Sequence, residues 1–258
     1  MSDPLPLPVA GDADDQARFG KTLRTLLERL RKVRYDRDDI HQFAAFAMPL
    51  ASRSQSQLFQ DLWALWMSGQ KRGGFFVEFG AADGVRLSNT YLLEKEWGWR
   101  GILAEPNPRF AASLAKHRRC AVSGKCVYAR SGETVELLIA QEGELSRIAG
   151  LDPEDAAEGG RRVDDVAQVQ TISLNDLLTE FKAPRRIDFM SIDTEGAELQ
   201  ILQAFDFDRW DIGAIAVEHN YRPDRAEIGA LLTAQGFRNV WPTMSRFDDW
   251  YVRDDLRG

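Results

Sequence analysis

Short apolar segments alternate with helical patterns from Phe75 onward, and this alternation restricts the folds that the chain can adopt. The apolar segments predict strands at 75–79, 101–105, 187–192 and 212–218. The helical patterns between and after them cover 90–96, 108–117, 196–204 and 225–235. Strands joined by helices pair in parallel, because the crossover helix returns the chain to the same end of the sheet. The sequence therefore predicts an α/β fold: a doubly wound, mainly parallel sheet with helices on both faces.

Less regular segments fill the rest of this region. Further strands are predicted near 120–129, at 133–139, and near 238–241 and 250–253. Thr171 and Ile172 predict a short extended segment, and Ser173 with Asp176 predicts a capped start for a helix at 174–181. Residues 142–162 hold five glycines or prolines among many charges, which predicts a long loop or a mobile lid.

The N-terminal part lacks the alternation of strands and helices. We therefore divide the chain into an extension at 1–55 and a domain at 56–258. Residues 1–15 are rich in proline and aspartate, which predicts disorder. A stripe of leucines and a valine at helical spacing between 23 and 33 predicts an amphipathic helix. That helix can pack on the domain or join two chains as a homodimer. Its basic residues leave a role at a membrane surface open.

Composition and charge exclude several classes of function. The 258 residues are enough for one α/β domain with an extension. A formal net charge of −7 and a pI of about 5.2 disfavour nucleic-acid binding. The two cysteines, Cys120 and Cys126, give neither a disulfide framework nor zinc spacing, which predicts a cytoplasmic protein. No apolar run approaches the roughly 20 residues that span a bilayer, and no signal-peptide pattern is present.

Acidic residues stand at the ends of three predicted strands. Glu78 is followed two residues later by Gly80, Glu105 ends the next strand, and Asp193 follows the strand at 187–192. Ligands of open α/β sheets bind outside the carboxyl ends of the strands. Glycine lets the backbone approach a ligand closely, and a carboxylate can accept hydrogen bonds from both hydroxyls of a ribose. The pattern predicts a cofactor that contains a nucleoside.

Two classes of cofactor fit such a pattern, dinucleotides and S-adenosylmethionine. A dinucleotide site requires Gly-x-Gly-x-x-Gly, whereas the sequence from Gly80 is Gly-Ala-Ala-Asp-Gly. Glu78 and Asp83 would also place negative charge where a pyrophosphate needs donors. S-adenosylmethionine carries a sulfonium and an ammonium group and no phosphate, so acids near the turn favour it.

Two further acidic or titratable runs follow later strands. In the first, Asp193 is predicted to face the cleft, while Glu195 and Glu198 are also explained by the favourable field at a helix N-terminus. In the second, Glu218, His219 and Asn220 end the strand at 212–218. His219 can act as a general base near neutral pH, or it can simply hydrogen-bond a loop; the sequence supports both interpretations equally.

An ordered series of segments resembles the FkbM family of S-adenosylmethionine-dependent methyltransferases. The series consists of 76–84, 87–90, 93–95 with Gly98 and Trp99, 105–108, 192–198, 217–220 and 249–250. Similarity extends from about residue 56 to residue 252. The resemblance implies a class I methyltransferase sheet of seven strands with the last one antiparallel. It also implies O-methylation, often of sugars, glycans or secondary metabolites.

The resemblance also implies roles for individual residues. The cofactor-binding residues it implies are Glu78, Phe79, Gly80, Ala81, Asp83, Asn89, Glu105, Pro106 and Asp193. Of these, Glu78, Gly80 and Asp83 would line the methionine end of the cofactor. Glu105 would hold the ribose, and Asp193 would lie near the sulfonium.

A hydroxyl acceptor must lose its proton as it attacks the methyl group, so a base must lie close to it. His219 is the first candidate, and Asp193 or Glu195 is the second. Enzymes similar to catechol O-methyltransferase hold a magnesium ion with acids and an amide at corresponding positions. Asp193, Glu218 and Asn220 could do the same, although we do not favour a metal.

Two rival functions stay open at this point. One is a nicotinamide-dependent oxidoreductase, and the other is a non-catalytic binding or scaffold protein with the same fold. On the methyltransferase interpretation, the partner is a small-molecule or glycan acceptor, not a nucleic acid. The acceptor-binding residues are expected at 142–162, after Asn220 and at 242–249, where Phe247 lies, with Trp241 beside them.

Overall fold

The computed structural model describes residue 21 and residues 37–151 and 162–253. In chain order, the strands of this part are β1 (Phe75–Phe79), β2 (Arg100–Ala104), β3 (Ala121–Ser123), β4 (Cys126–Tyr128), β5 (Thr134–Ala140), β6 (Arg147–Ile148), β7 (Val163–Ser173), β8 (Arg186–Ile192), β9 (Asp211–Glu218), β10 (Phe237–Val240) and β11 (Asp248–Arg253). Its helices are α1 (Arg37–Ala47), α2 (Gln60–Met67), α3 (Tyr91–Trp97), α4 (Ala111–His117), α5 (Leu174–Glu180), α6 (Glu198–Gln203) and α7 (Arg225–Ala234). Short 3₁₀ turns lie at Met48–Leu50, Pro108–Phe110 and Gly143–Leu145.

The larger of two sheets has seven strands in the order β10-β11-β9-β8-β1-β2-β3. Strands β3, β2, β1, β8 and β9 pair in parallel, and β11 lies antiparallel between β9 and β10. The doubly wound, mainly parallel sheet with an antiparallel last strand is therefore confirmed, and the fold is that of a class I methyltransferase. The strand order reverses between β1 and β8, which is where such sheets bind their ligands.

The smaller sheet corrects three expectations. The strand predicted near 120–129 is two strands, because β3 pairs with β2 in the larger sheet whereas β4 pairs with β7 in the smaller one. The short extended segment at Thr171 is the end of the long strand β7, whose exposed side chains hide it from a search for apolar runs. The described part of 142–162 contains a 3₁₀ turn and β6. Residues 152–161 lie outside the described residues.

Helix α1 packs on the domain that follows it. Its Ile40 and Phe43 are buried in the same core as Trp63, Trp241 and Trp250. The rings of Trp63 and Trp250 stack with their centroids 4.9 Å apart, which ties α2 to β11.

The N-terminal stripe lies outside the described part of the chain. The division at residue 55 and a homodimer through that helix therefore stay predictions. Among the residues that the structure describes, no helix has the length and apolar character needed to cross a membrane.

Candidate functional site

Three strand ends meet at the edge where the strand order reverses. Phe79 of β1 pairs with Ile192 of β8, and Ile192 pairs with Val217 of β9. The next residues along the three strands, Gly80, Asp193 and Glu218, are therefore side by side. Gly80 has φ = +80°, and a Cβ atom built on it would overlap the carbonyl oxygen of Asp193. Only glycine fits this position.

Two pockets open at this edge, and we call them the acidic cleft and the Glu105 pocket. The acidic cleft has a volume of about 700 Å³, measured out to its open mouth. Its lining includes Asn89, Ser191, Asp193, Glu195, Glu218 and Asp248. The Glu105 pocket is lined by Glu105, Pro106, Val127, Leu137 and Ile148, among others. The two share Gly80, Glu144, Asp193 and Glu195, so a ligand can extend from one into the other.

Glu105 lies at the end of β2 with only 9% of its surface exposed. Its Oε2 accepts a hydrogen bond from the Ala82 backbone N–H, and its Oε1 accepts one from the Asn107 backbone N–H, both at 2.8 Å. Burial raises the pKa of Glu105 to about 7, and the negative charge of Glu78 adds to the rise. Each oxygen keeps a further lone pair, so the carboxylate can accept hydrogen bonds from a ligand.

Glu78 lines the acidic cleft, but its carboxylate is engaged by the protein itself. Oε1 accepts a hydrogen bond from the Asn89 backbone N–H at 2.7 Å. Oε2 accepts from Ser88 Oγ at 3.0 Å and also from Thr90 Oγ1. Glu78 thus holds the segment that leads into α3. Asp83 has a similar role, since its Oδ1 accepts from the Val85 and Arg86 backbone N–H groups at 2.8 Å and it lines neither pocket.

Arg118 stabilises the segment between β1 and α3 through hydrogen bonds to its residues. It was not identified from the sequence. Its side chain is fully buried. It donates to Glu94 Oε2 at 2.7 Å, Thr90 Oγ1 at 2.8 Å, Gly84 O at 3.0 Å and Ser88 Oγ at 3.1 Å. Although burial alone would raise the pKa of Glu94, the hydrogen bond and charge of Arg118 hold it at about 2. An arginine just after a helix carries no sequence signal that separates it from exposed neighbours such as Arg119.

Replacing Arg118 with methionine is expected to lower the melting temperature by about 10 °C, because a buried carboxylate would lose its partner. The matched control is Arg119→Met, whose side chain is exposed and which should change the melting temperature by less than about 2 °C. Thermal unfolding followed by circular dichroism measures both. Equal shifts in the two variants would contradict the bracing role.

Asn89 places an unsatisfied polar atom in the acidic cleft. Its Nδ2 donates to Ser191 Oγ at 2.9 Å. Its Oδ1 is buried and has no hydrogen-bond partner among the described residues. Buried polar groups are nearly always satisfied, so this oxygen indicates a place where a ligand binds.

Three carboxylates converge on the floor of the cleft. One oxygen each of Asp193, Glu195 and Glu218 lies within 4.8 Å of the others. The carboxyl groups of Asp193 and Glu218 lie within hydrogen-bonding distance of each other. Burial, followed by the charge of Glu195, raises the pKa of Asp193 well above its usual range. Burial and the charge of Asp193 do the same for Glu218.

A fourth carboxylate, Asp248 at the start of β11, falls within the segment 242–249 where acceptor-binding residues are expected, but it was not singled out from the sequence. It pairs with Glu218 across the strands and lines the same cleft. Gln60 Nε2 donates to its Oδ2 at 2.7 Å, yet burial raises the pKa of Asp248 to about 7. In the sequence, only the alternation of side chains along the strand that contains Asp249 and Trp250 could have indicated which way the Asp248 side chain points.

The loop after β8 is held by hydrogen bonds to Glu198, and its Glu195 lines both pockets. Glu195 has φ = +57°, a conformation that non-glycine residues rarely adopt. Glu198 stabilises it, because its Oε1 accepts hydrogen bonds from the Thr194 backbone N–H and Oγ1 at 2.8 Å and from the Gly196 backbone N–H at 3.1 Å. Of the two acids that a helix N-terminus could explain, Glu198 is the first residue of α6, whereas Glu195 lines the site.

His219 faces away from both pockets. Its Nδ1 accepts a hydrogen bond from the Tyr221 backbone N–H at 2.9 Å, and its Nε2 lies 3.9 Å from Asp249 Oδ1. It follows Glu218, the last residue of β9, and it is not among the lining residues of either pocket. Burial lowers the pKa of His219. The structure does not bring Asn220 into the cleft lining either; Glu195 joins Asp193 and Glu218 instead.

The chain is similar to a family profile and to individual known proteins. The profile of the Methyltransferase FkbM domain matches residues 78–246. Methyltransferase sdnD of Sordaria araneosa is 33% identical over 104 residues, which cover 36% of this chain and 39% of that relative's length. Phosphoethanolamine N-methyltransferase 2 of Haemonchus contortus, solved in complex with S-adenosyl-L-methionine, aligns with 12% identity and a TM-score of 0.36. That alignment covers 83% of this chain and 46% of the other.

Proposed function

Because the chain belongs to the FkbM methyltransferase family, its methyl donor is S-adenosylmethionine, and we propose that it transfers the methyl group to a hydroxyl oxygen of a sugar, glycan or secondary metabolite. The observation that carries this proposal is the convergence of carboxylates where the two pockets meet. A hydroxyl acceptor needs a proton acceptor beside it, and these carboxylates can provide one. Family membership also removes the dinucleotide alternative.

The residues of the two pockets fit the cofactor. Glu105 offers acceptors to the ribose hydroxyls, and the apolar wall of Val127, Leu137 and Ile148 suits an adenine ring. Phe79 and Pro106 line the same pocket, and Ala81 lines the acidic cleft. The carboxylates of Asp193 and Glu195, which line both pockets, suit a sulfonium and an ammonium group, and Asn89 Oδ1 is an acceptor without a donor among the described residues.

The chemistry divides between the cofactor and the chain. When bound, the cofactor supplies an electrophilic methyl group, whose bond to sulfur breaks as its bond to the acceptor oxygen forms. The chain must orient the hydroxyl and take up its proton. We assign the proton acceptor to the carboxylates at this end of the cleft, with Asp193 first. His219, the first candidate from the sequence, lines neither pocket.

The charge of the cleft narrows the acceptor class. Six acids line it, namely Glu78, Glu144, Asp193, Glu195, Glu218 and Asp248. Arg86 is the single basic residue of that described lining, and its Nη1 donates to Glu144 Oε1 at 2.5 Å. A phosphorylated or carboxylated acceptor would be repelled there, so a neutral hydroxyl compound is favoured. Phe247 also lines the cleft and can stack on a sugar ring, whereas Trp241 is buried in the core.

Replacing Glu105 with alanine is expected to weaken S-adenosylmethionine binding about 100-fold, because two charge-assisted hydrogen bonds to the ribose would be lost. Calorimetric titration of the full chain with S-adenosylmethionine and S-adenosylhomocysteine measures the change. Glu180→Ala is the control, since Glu180 is exposed on α5 and pairs with Lys125. A folded wild type that binds neither compound would overturn the proposed function. Normal binding by the alanine variant would instead place the ribose elsewhere.

The same binding should depend on pH. Because the pKa of Glu105 is about 7, the carboxyl group is mostly protonated at pH 6 and mostly ionised at pH 8. An ionised group accepts hydrogen bonds from the ribose, so affinity should rise by roughly tenfold from pH 6 to pH 8. Titrations of wild type and Glu105→Gln across this range test the assignment. The variant should show a flat profile, and parallel profiles for both proteins would contradict it.

A labelled methyl donor identifies the acceptor. Neutral sugars, glycans and polyhydroxylated metabolites are incubated with the enzyme, and the position of the new methyl group is read by mass spectrometry and NMR. An O-methyl product supports the proposal, and an N- or C-methyl product overturns its finer part. A protein that binds the cofactor but methylates nothing in a broad panel would favour the non-catalytic alternative.

A further inference from the structure

We propose that Asp193, Glu195 and Glu218 form a binding site for a hard divalent cation, completed by Asn89 Oδ1. The site lies at the end of the acidic cleft where methyl transfer would occur. Its existence does not depend on the proposed function, although its catalytic role does.

The geometry of the three acids suits one ion. Their nearest ligand atoms lie within 4.8 Å of one another. Asp193 and Glu195 belong to the loop after β8, and Glu218 ends the adjacent strand β9. Two oxygens on opposite sides of one cation are about 4.2 Å apart for Mg²⁺ and about 5 Å apart for Ca²⁺, twice the metal–oxygen distance. The three carboxylates can therefore reach a common centre with side-chain movements of less than about 1 Å.

Asn89 is a second, independent indication of a ligand. Its side chain is nine-tenths buried, lines the same cleft and has an Oδ1 without a partner in the described part of the chain. Its Nδ2 donates to Ser191 Oγ. Ser191 and Asp193 both line the acidic cleft. An amide oxygen is a ligand that Mg²⁺, Mn²⁺ and Ca²⁺ accept readily.

The excess of negative charge in the acidic cleft also favours a bound cation. Asp248 adds a fourth carboxylate beside Glu218, and the one basic side chain in the described lining, Arg86, is paired with Glu144. Several carboxylates that share a buried space repel one another unless a proton or a cation lies between them. A divalent cation would offset this repulsion and leave open positions for the oxygens of a hydroxyl acceptor. Each carboxylate has two oxygens, so Asp193 can hold the ion and still face the acceptor.

Titration of the full chain with Mn²⁺, followed by the electron paramagnetic resonance signal of free Mn²⁺, tests the site without any cofactor. We expect one ion per chain, with at least tenfold weaker binding to Glu195→Gln. The control is Glu144→Gln, which removes a charge from the same cleft but no proposed ligand, and it should bind Mn²⁺ within about twofold of wild type. Asn89→Asp replaces an amide oxygen with a carboxylate and should retain binding, whereas Asn89→Leu should weaken it.

Circular dichroism confirms that each variant is folded, and calorimetry with S-adenosylmethionine is run in parallel. A folded wild type that binds no Mn²⁺ at millimolar concentration overturns the cation site even if it binds the cofactor. Equal loss of Mn²⁺ affinity in Glu195→Gln and Glu144→Gln would also overturn it, because that result indicates general attraction to an acidic cleft. If the wild type binds Mn²⁺ but does not bind S-adenosylmethionine, the proposed function is overturned and the cation site is not.

Discussion

Replacing Gly80 with alanine is expected to abolish S-adenosylmethionine binding and to lower the melting temperature by about 10 °C. The new Cβ atom would overlap the carbonyl oxygen of Asp193, and the residue would have to keep φ near +80°. The end of β1 must then move away from β8. That movement separates the two halves of the site, because Gly80 and Asp193 line both pockets.

The matched control for this variant is Gly124→Ala. Gly124 lies between β3 and β4, and a Cβ atom there would meet nothing within 4 Å. Calorimetry gives the affinity of both variants, and differential scanning calorimetry gives their stability. Wild-type affinity in Gly80→Ala would show that the strand ends tolerate separation and that the cofactor does not lie against them.

Replacing Asp193 with asparagine is expected to slow methyl transfer about 1000-fold, the range typical for removal of a group that accepts a proton in the transition state. The amide keeps the shape of the side chain and can still donate to Glu218, so the fold should survive. His219→Gln, in contrast, should slow the reaction by less than about tenfold, because the imidazole lines neither pocket.

Both variants are compared by the rate of S-adenosylhomocysteine formation with the acceptor identified by the labelled-methyl screen. Cofactor affinity is measured separately, so that weaker binding is not mistaken for slower chemistry. If His219→Gln lost far more activity than Asp193→Asn, the histidine would be the base and the ring would have to turn toward the cleft during catalysis.

The positions of the strand ends could be predicted from the sequence, and the directions of their side chains only in part. An apolar run followed by an acid or a glycine marks where a buried strand leaves the sheet, and Gly80, Glu105 and Asp193 all lie at that edge. Glu78 is also acidic and also lines the cleft, but three neighbouring donors use its oxygens. Nothing in the sequence distinguishes a carboxylate that binds a ligand from one that orders a loop.

The assignment of His219 as the first candidate for the base rested on its residue type. A histidine is the side chain best suited to accept a proton near neutral pH, so it is the usual first candidate for a general base. The structure places Glu218, the last residue of β9, in the lining of the cleft, whereas His219 directly after it lines neither pocket. Asp248 comes from a strand that is distant in the sequence. Its approach to Glu218 depends on the insertion of β11 beside β9, which local patterns do not encode.

The two sheets supply different parts of the candidate site. The convergent acids are anchored to β8, β9 and β11 of the larger sheet, whereas most of the apolar wall of the Glu105 pocket comes from β4, β5 and β6 of the smaller one. The smaller sheet is an insertion between β3 and β8, so its loops can lengthen or be exchanged without shifting the register of the acidic strands. A change in this insertion would therefore alter the apolar wall of the Glu105 pocket while the convergent acids kept their positions on the larger sheet.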